Sequence, residues 1–516
     1  MRCFFKRTAT SASEDDEKGR RGASTIDCSP PCRTGRFVRL FEGRGVADIL
    51  IYMYLTKKRR IEATKNLDPA KILLVQGLRS FLHRHLGQHR MLGGALVLAV
   101  TQLAASIAGL VRDNVLAATF TARGEVGVVD AYIAAFRPSD FLLQTFILSA
   151  VGSVLVPMIA AHREKGSQRS MEDLLGGAVG AGALLFGAMA IVLAVAFRSL
   201  APFFVDFQGD ALELYVHFGR MALLTNLLFV FGSVYGQYLI SIQRYWIYGI
   251  TPVLYTLGTI VGTVALTPVY GAYGPMLGTL CGSVLFVALR IWGVSVSGTA
   301  VRLGLWHADI GEMGLLMIPR MVALGALQIQ LLFFDKFASS LDAGSVMLNA
   351  YARNFQSVVV GVVGIAVAQS GFALMSQAAA RGELARFVTY VRKAVLLVLG
   401  LTIPGAIALA LLAPVAAWLV HITEYLPVFR TILFAYALSI PFDSLNHVLV
   451  RGYYATKHTL VPALTMLLYV VVAIGIAWWL LPRIGVQSLG VGYAVGSAAM
   501  TIVLAALLPL RLRKIP

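Results

Sequence analysis

Beyond residue 90 the chain alternates between long apolar runs and short polar breaks, and the lengths of those runs set the fold class. A helix needs about 20 mostly apolar residues to cross the hydrocarbon core of a bilayer. Runs of that order fall at 91–111, 129–160, 174–197, 215–240, 246–267, 272–295, 313–335, 345–375, 392–413, 427–449, 460–481 and 486–510. A soluble chain of this length would show short amphipathic periods instead. The pattern predicts an all-α, polytopic membrane protein with twelve spans.

The first 90 residues differ. Stretches such as SASEDDEKGRRGAS and SPPCRTGR are polar and rich in breakers, so residues 1–70 read as a disordered basic tail. No apolar stretch there has the length or setting of a signal peptide. The segment KILLVQGLRSFLHRHLGQHR, residues 71–90, spaces leucines among Arg and His as an amphipathic juxtamembrane helix would. Met53 and Met91 are alternative start positions within this region.

Two internal matches predict a repeat. Asp130, Ala131, Tyr132 and Phe136 recur as Asn349, Ala350, Tyr351 and Phe355; Gly271, Gly278, Gly282 and Ser283 recur as Gly485, Gly492, Gly496 and Ser497. The expected organisation is therefore an N-lobe of six spans (91–296), a cytoplasmic linker (297–312), a C-lobe of six spans (313–510) and a basic C-terminus (511–516). Six is even, so both halves enter the membrane in the same sense, with a substrate site expected between them.

Composition and charge sharpen this reading. Hydrophobic residues make up 58% and charged residues 14%, against about 25% charged in soluble domains. The net charge is +18. After residue 90, the loops that follow even-numbered spans and the C-terminus carry most Lys and Arg, among them Arg163, Arg169, Arg244, Arg290, Arg302, Arg381 and Arg451. The opposite loops and their margins carry Arg112, Arg123, Arg198, Lys336, Arg430 and Arg483. With the basic tail on the richer side, the positive-inside rule predicts both termini in the cytoplasm of a bacterial inner membrane. The basic tail reads as a contact for anionic lipid rather than nucleic acid.

No enzyme chemistry is legible. Four cysteines are too scattered for a disulfide framework, the nine histidines are dispersed, and no metalloprotease, Walker or dinucleotide motif occurs. The chain reads as a carrier without a cofactor. It has no nucleotide-binding part, so the energy comes from an ion gradient, the membrane potential or the substrate's own gradient, and a coupling Na+ or H+ is left open.

Charged residues inside the spans mark the candidate site, because each costs about 2.5–3.5 kcal/mol at a helix centre on insertion scales. Arg112 and Asp113 close the first span, Asp130, Arg137 and Asp140 lie in the second, and Arg353 lies well inside the eighth. Arg220 and Arg320 also read as residues that snorkel to the surface, Arg112–Asp113 as a loop pair, and Asp335–Lys336 as a solvated loop start. Arginines converging between two lobes suit a phosphate-bearing anion, since guanidinium binds phosphate bidentately and keeps its charge.

The motifs GLVRDNVLAATF, VDAYIAAFRPSDFLLQ, GQYLISIQRYWIYGITPVLYTLG, NAYARNFQSVVVGVVGIAVA and RGYYATKHTLVPAL, taken in order, resemble the MurJ/MviN lipid II flippases over residues 91–510. The resemblance implies the multidrug/oligosaccharidyl-lipid/polysaccharide exporter fold, with two pseudo-symmetric lobes around a central cationic cavity. It implies alternating access and an undecaprenyl-pyrophosphate-linked peptidoglycan precursor as substrate. It also implies that Arg112, Asp113, Asp130 and Arg353 clamp the pyrophosphate, with Arg137 taking part of a missing arginine's role. This chain departs from the family pattern at Ser106, Leu143 and Ala352, where the family commonly has two arginines and an acid. An exporter of another lipid-linked oligosaccharide or a drug, and a transport-inactive scaffold for cell-wall synthesis proteins, stand as alternatives.

Overall fold

The structure, a computed structural model, describes residues 90–512 apart from 152–154, 165–167, 303, 305–306 and 308. The tail and the amphipathic segment up to residue 89 lie outside the described residues. Every ordered element described is helical, as lipid demands, because a backbone without water must satisfy its own N–H and C=O groups.

The twelve main helices are α1 (Arg90–Thr121), α2 (Val126–Leu142), α3 (Gln168–Phe204), α4 (Gly209–Ser241), α5 (Tyr245–Val261), α6 (Gly274–Val296), α7 (Asp309–Ser339), α8 (Ser345–Val359), α9 (Leu384–Leu411), α10 (Leu426–Ala455), α11 (Leu460–Ile484) and α12 (Gln487–Leu512). Among the described residues, eleven helical runs are long and apolar enough to cross a membrane, one of them 52 residues long. At 1.5 Å per residue that run would be about 78 Å if straight, more than twice the hydrocarbon thickness. It is not straight: Gly271, with φ 55°, reverses the chain between α5 and α6, and the two helices pack on each other. The eleven runs thus make twelve passes.

The hairpin of α5 and α6 depends on missing side chains. A Cβ on Gly258 would lie 2.5 Å from the Gly282 Cα, and one on Gly262 would lie 2.6 Å from the Gly274 carbonyl. Small residues let membrane helices approach through their backbones, which replaces the hydrophobic drive that lipid removes.

The two halves repeat one packing scheme. In the N-lobe α1 packs on α5, α2 and α3 on α4, and α6 on both α4 and α5. In the C-lobe α7 packs on α11, α8 and α9 on α10, and α12 on both α10 and α11. Backbone irregularities repeat with it. Gly271 and Gly485 turn with φ 55° and 61°, Gly124 and Gly344 precede α2 and α8 with φ 71° and 95°, and Gln243 and Lys457 end α4 and α10 with φ 63° and 56°. α2 and α8 each widen into a π-helical turn, at Leu143–Leu148 and Val360–Ile365. Such turns are rare and often sit at functional sites; a third, at Gly262–Leu266 after α5, has no counterpart among the described residues of the C-lobe.

The lobes meet unequally. α7 lies against α2 and α3 of the N-lobe as well as α11 of its own. α1, its counterpart, is the least buried of the long helical runs, with 11% of its most apolar window buried. We call the membrane side where odd-numbered helices end the odd face, and the other the even face.

Candidate functional site

The intramembrane charges gather where α1, α2, α7 and α8 meet, in the half of the bundle nearer the odd face. Arg112 on α1 places Nε at 3.0 Å and Nη2 at 2.6 Å from the Asp113 Oδ1 atom. Both nitrogens share one oxygen, so the other is available to the opposite lobe: Asp113 Oδ2 accepts from the Asn354 amide at 3.1 Å, and the Asp113 carbonyl accepts from the Tyr351 hydroxyl at 2.9 Å. Arg112 retains 28% side-chain exposure where Asp113 has 5%. Next along α1, the Asn114 amide donates to the Leu419 carbonyl at 2.8 Å, another contact across the lobes.

Asp130 does not touch an arginine. Its Oδ2 accepts the Gly344 N–H at 2.6 Å and its Oδ1 accepts the Met347 N–H at 2.7 Å. The first N–H groups of a helix have no partner within it, and Gly344, at the cap of α8, has no side chain to supply one. Asp130 supplies it from the other lobe, with its negative charge on the positive end of the helix dipole. The sequence reading placed this carboxylate beside the arginines. Backbone donors leave no trace in a pattern of side chains, although a glycine ahead of an apolar helix hints at an uncapped start.

Arg137 on α2 donates through Nε to the Asp335 Oδ2 on α7 at 2.6 Å, with 14% of the Arg137 and 4% of the Asp335 side chain exposed. Asp335 is therefore no solvated loop start: α7 continues to Ser339 and keeps it inside, 3% exposed. Its neighbour Lys336 does face outward, bonding the Pro202 carbonyl in the last turn of α3 and Asp206 in the connection to α4. Asp140, one turn from Arg137, accepts from the Asn226 amide of α4 at 2.8 Å.

Arg353 differs from the other two arginines in its partners, although Arg137 lies within electrostatic reach of it. Among the described residues it makes no hydrogen bond or ion pair, and the groups that act on it electrostatically are Arg137, Tyr436, Asp335 and Tyr493. Arg112 responds instead to Asp113, Tyr132 and Tyr255. Of three arginines between the lobes, two have a carboxylate in contact and one has none.

The remaining basic residues divide between surface and core. Arg220 and Arg320 are exposed, and Arg220 bonds the Ala194 carbonyl at 3.0 Å. Arg290, counted from sequence among the loop charges, is 4% exposed inside the N-lobe. Its guanidinium bonds the Gly232 carbonyl at 2.6 Å and Thr251 Oγ1 at 3.0 Å, and it lies 4.0 Å from the Phe286 ring centroid. At the three departures from the family pattern, Ser106 is exposed on α1 while Leu143 and Ala352 are packed in the core.

Comparison with known proteins agrees with this architecture. A sequence profile of the family described as "Lipid II flippase MurJ" matches residues 116–516. A probable lipid II flippase MurJ of Rhizobium meliloti (strain 1021) is 26% identical over 413 residues, covering 75% of each chain. One of Bdellovibrio bacteriovorus is 24% identical over 435 residues, covering 81% of this chain and 82% of that protein. Among solved structures, a lipid II flippase MurJ in an inward closed conformation superposes with a TM-score of 0.69 at 20% identity, over 81% of this chain and 87% of that one. An inward-facing multidrug resistance transporter of the MATE family gives 0.68 at 16% identity, over 82% and 98%. Two six-helix lobes, the repeated packing and a profile match over most of the chain lead to one assignment: the chain belongs to the MurJ family of lipid II flippases, which are transporters and not enzymes.

Proposed function

We propose that this chain carries lipid II, the undecaprenyl-pyrophosphate-linked precursor of peptidoglycan, from the inner to the outer leaflet of the bacterial plasma membrane by alternating access. The excess of Lys and Arg in the even-face loops orients the even face to the cytoplasm. The odd face is then external, and the contacts of Asp113, Asn114, Asp130 and Arg137 with the C-lobe hold it shut. With α1 joined to the C-lobe near its odd-face end, the lobes part toward the cytoplasm, where the precursor is made.

The observation that carries this reading is the unpaired Arg353 beside two paired arginines. An incoming pyrophosphate meets Arg353 first. It then competes with Asp113 for Arg112, which drags on Asn354 and Tyr351 and so loosens the contact that closes the external face. Substrate binding and gate release are one exchange of partners. An inside-negative potential assists, since outward movement of an anion gains about 2.3 kcal/mol per charge per 100 mV. In this reading neither a cofactor nor a nucleotide enters the cycle.

Lipid II binding in nanodiscs, followed by native mass spectrometry, tests the assignment. Wild type retains lipid II, and Arg353→Ala loses most of the bound population. Equal retention by the two proteins, or preference for a lipid lacking pyrophosphate, overturns it.

A further inference from the structure

A second polar cluster lies inside the C-lobe, one helical turn from Arg353 and outside the gate. Asp443 sits mid-way along α10 among apolar neighbours. Its Oδ2 accepts from the Gln356 amide of α8 at 3.1 Å and from the Tyr493 hydroxyl of α12 at 2.9 Å. Its Oδ1 lies 4.0 Å from His447 Nε2, one turn further along α10, and the side chains keep 20% and 36% exposure. Among the described residues, no arginine or lysine bonds the carboxylate. An ionisable group at this depth is a functional candidate by default, and a carboxylate beside an imidazole can share or exchange a proton near neutral pH.

The N-lobe supplies an internal control. Asn226 of α4 precedes Asp443 by 217 residues, the offset that also separates the two π-helical turns. Asn226 bonds Asp140 on α2, so each lobe ties its second and fourth helices with one acid and one amide, on exchanged helices. The counterpart of His447 at the same offset is Val230. Only the C-lobe pair has an imidazole in reach.

We propose that Asp443 and His447 form a proton-binding site whose occupancy sets how strongly Arg353 holds the substrate anion. With Asp443 ionised, its carboxylate accepts hydrogen bonds from Gln356 and from Tyr493, and Tyr493 is one of the groups that act on Arg353. A proton from water between the lobes, taken on the carboxylate or on His447, adds one positive charge to the cluster. On a protonated Oδ2 a hydroxyl hydrogen faces the Gln356 amide hydrogens, so the amide turns to present its oxygen. Gln356 and Arg353, three residues apart, share a face of α8. The charged and titratable groups around the pair are Arg353 from α8, Tyr469 from α11, Tyr493 from α12, and Tyr436 and Arg451 from α10 itself. Of these, the arginines carry a fixed charge, and within the pair the carboxylate and the imidazole face each other at 4.0 Å. Affinity for the pyrophosphate anion rises as pH falls.

The sign of the effect on lipid II rests on the assignment above, so two readouts are needed. In nanodiscs without substrate, acid titration followed by infrared difference spectroscopy shows a carboxylic acid band that disappears in Asp443→Asn. In the same nanodiscs, wild-type affinity for lipid II rises from alkaline to mildly acid pH, on the order of tenfold for one added charge at an effective dielectric of about 20. Asp443→Asn binds tightly at every pH, and His447→Gln, a milder change, shifts the midpoint. A band that survives Asp443→Asn, or identical pH profiles in wild type and both variants, overturns the proton site. A protein that titrates through Asp443 but binds no lipid II at any pH overturns the substrate assignment instead.

Discussion

Asp130 in the N-lobe is the N-terminal cap of a C-lobe helix, its Oδ1 accepting the Met347 N–H at 2.7 Å. A cap normally comes from the residue that begins the helix. Here it comes from 217 residues away, so the start of α8 is complete only while the lobes are together on the odd face. That makes the cap a latch.

Breaking the latch should open the odd face. A hydrogen bond to a charged group contributes about 1.5–3 kcal/mol, and Asp130→Ala removes two. The equilibrium between closed and open odd faces should shift by about two to four orders of magnitude. Spin labels at the exposed positions Arg123 and Asp342 report it by electron–electron resonance: wild type gives one short distance, and Asp130→Ala gives a longer, broader distribution. Unchanged distances would remove Asp130 from the gate.

Arg137 and Asp335 are expected to matter for stability as a pair. Removing one partner of a buried ion pair costs about 3–5 kcal/mol, whereas replacing both with apolar residues is often neutral. Asp335→Ala should lower Tm markedly in detergent, and Arg137→Leu with Asp335→Leu should recover most of the loss. Equal Tm values for Asp335→Ala and wild type would show that the pair does not hold the lobes.

Asp113 should act as a competitor of the substrate. Asp113→Asn leaves Arg112 without its counter-charge, so lipid II should bind more tightly, by up to about tenfold, while turnover falls because the anion is not displaced. Binding and flipping measured on one preparation must move in opposite directions. Weaker binding in Asp113→Asn would contradict the exchange.

The α5–α6 hairpin gives a purely structural prediction. A Cβ on Gly278 would lie 2.5 Å from the Gly262 Cα, and backbone cannot yield as a side chain does. Gly278→Val should cut the yield of monodisperse protein severely, while the same change at Gly475, with open space around it, should not.

These expectations divide along a line that also separates what was legible in the sequence from what was not. Span lengths, glycine spacing and the repeated Ala-Tyr motif carry the two lobes and twelve passes, because the bilayer imposes length and the interface imposes small residues. The residues Arg112, Asp113, Asp130, Arg137 and Arg353 stand out for the cost of placing charge in lipid. Their partners do not. Arg137 meets Asp335 from 198 residues away, and Asp335 looks like the end of a span because only tertiary packing shows that α7 runs on. Arg290 counts as a loop charge until carbonyl, hydroxyl and ring faces enclose it. Asp443 and His447, an acid and a histidine one turn apart, were a usable signal: that spacing puts them on one helix face, inside an apolar run.

Flipping of labelled lipid II by purified protein in proteoliposomes, with wild type, Arg353→Ala and Arg353→Lys side by side, tests the central claim most directly. Arg353→Ala should abolish transport with insertion intact, and Arg353→Lys should restore only part of it, since an ammonium keeps the charge but not the bidentate fork. Wild-type flipping by Arg353→Ala would contradict the account.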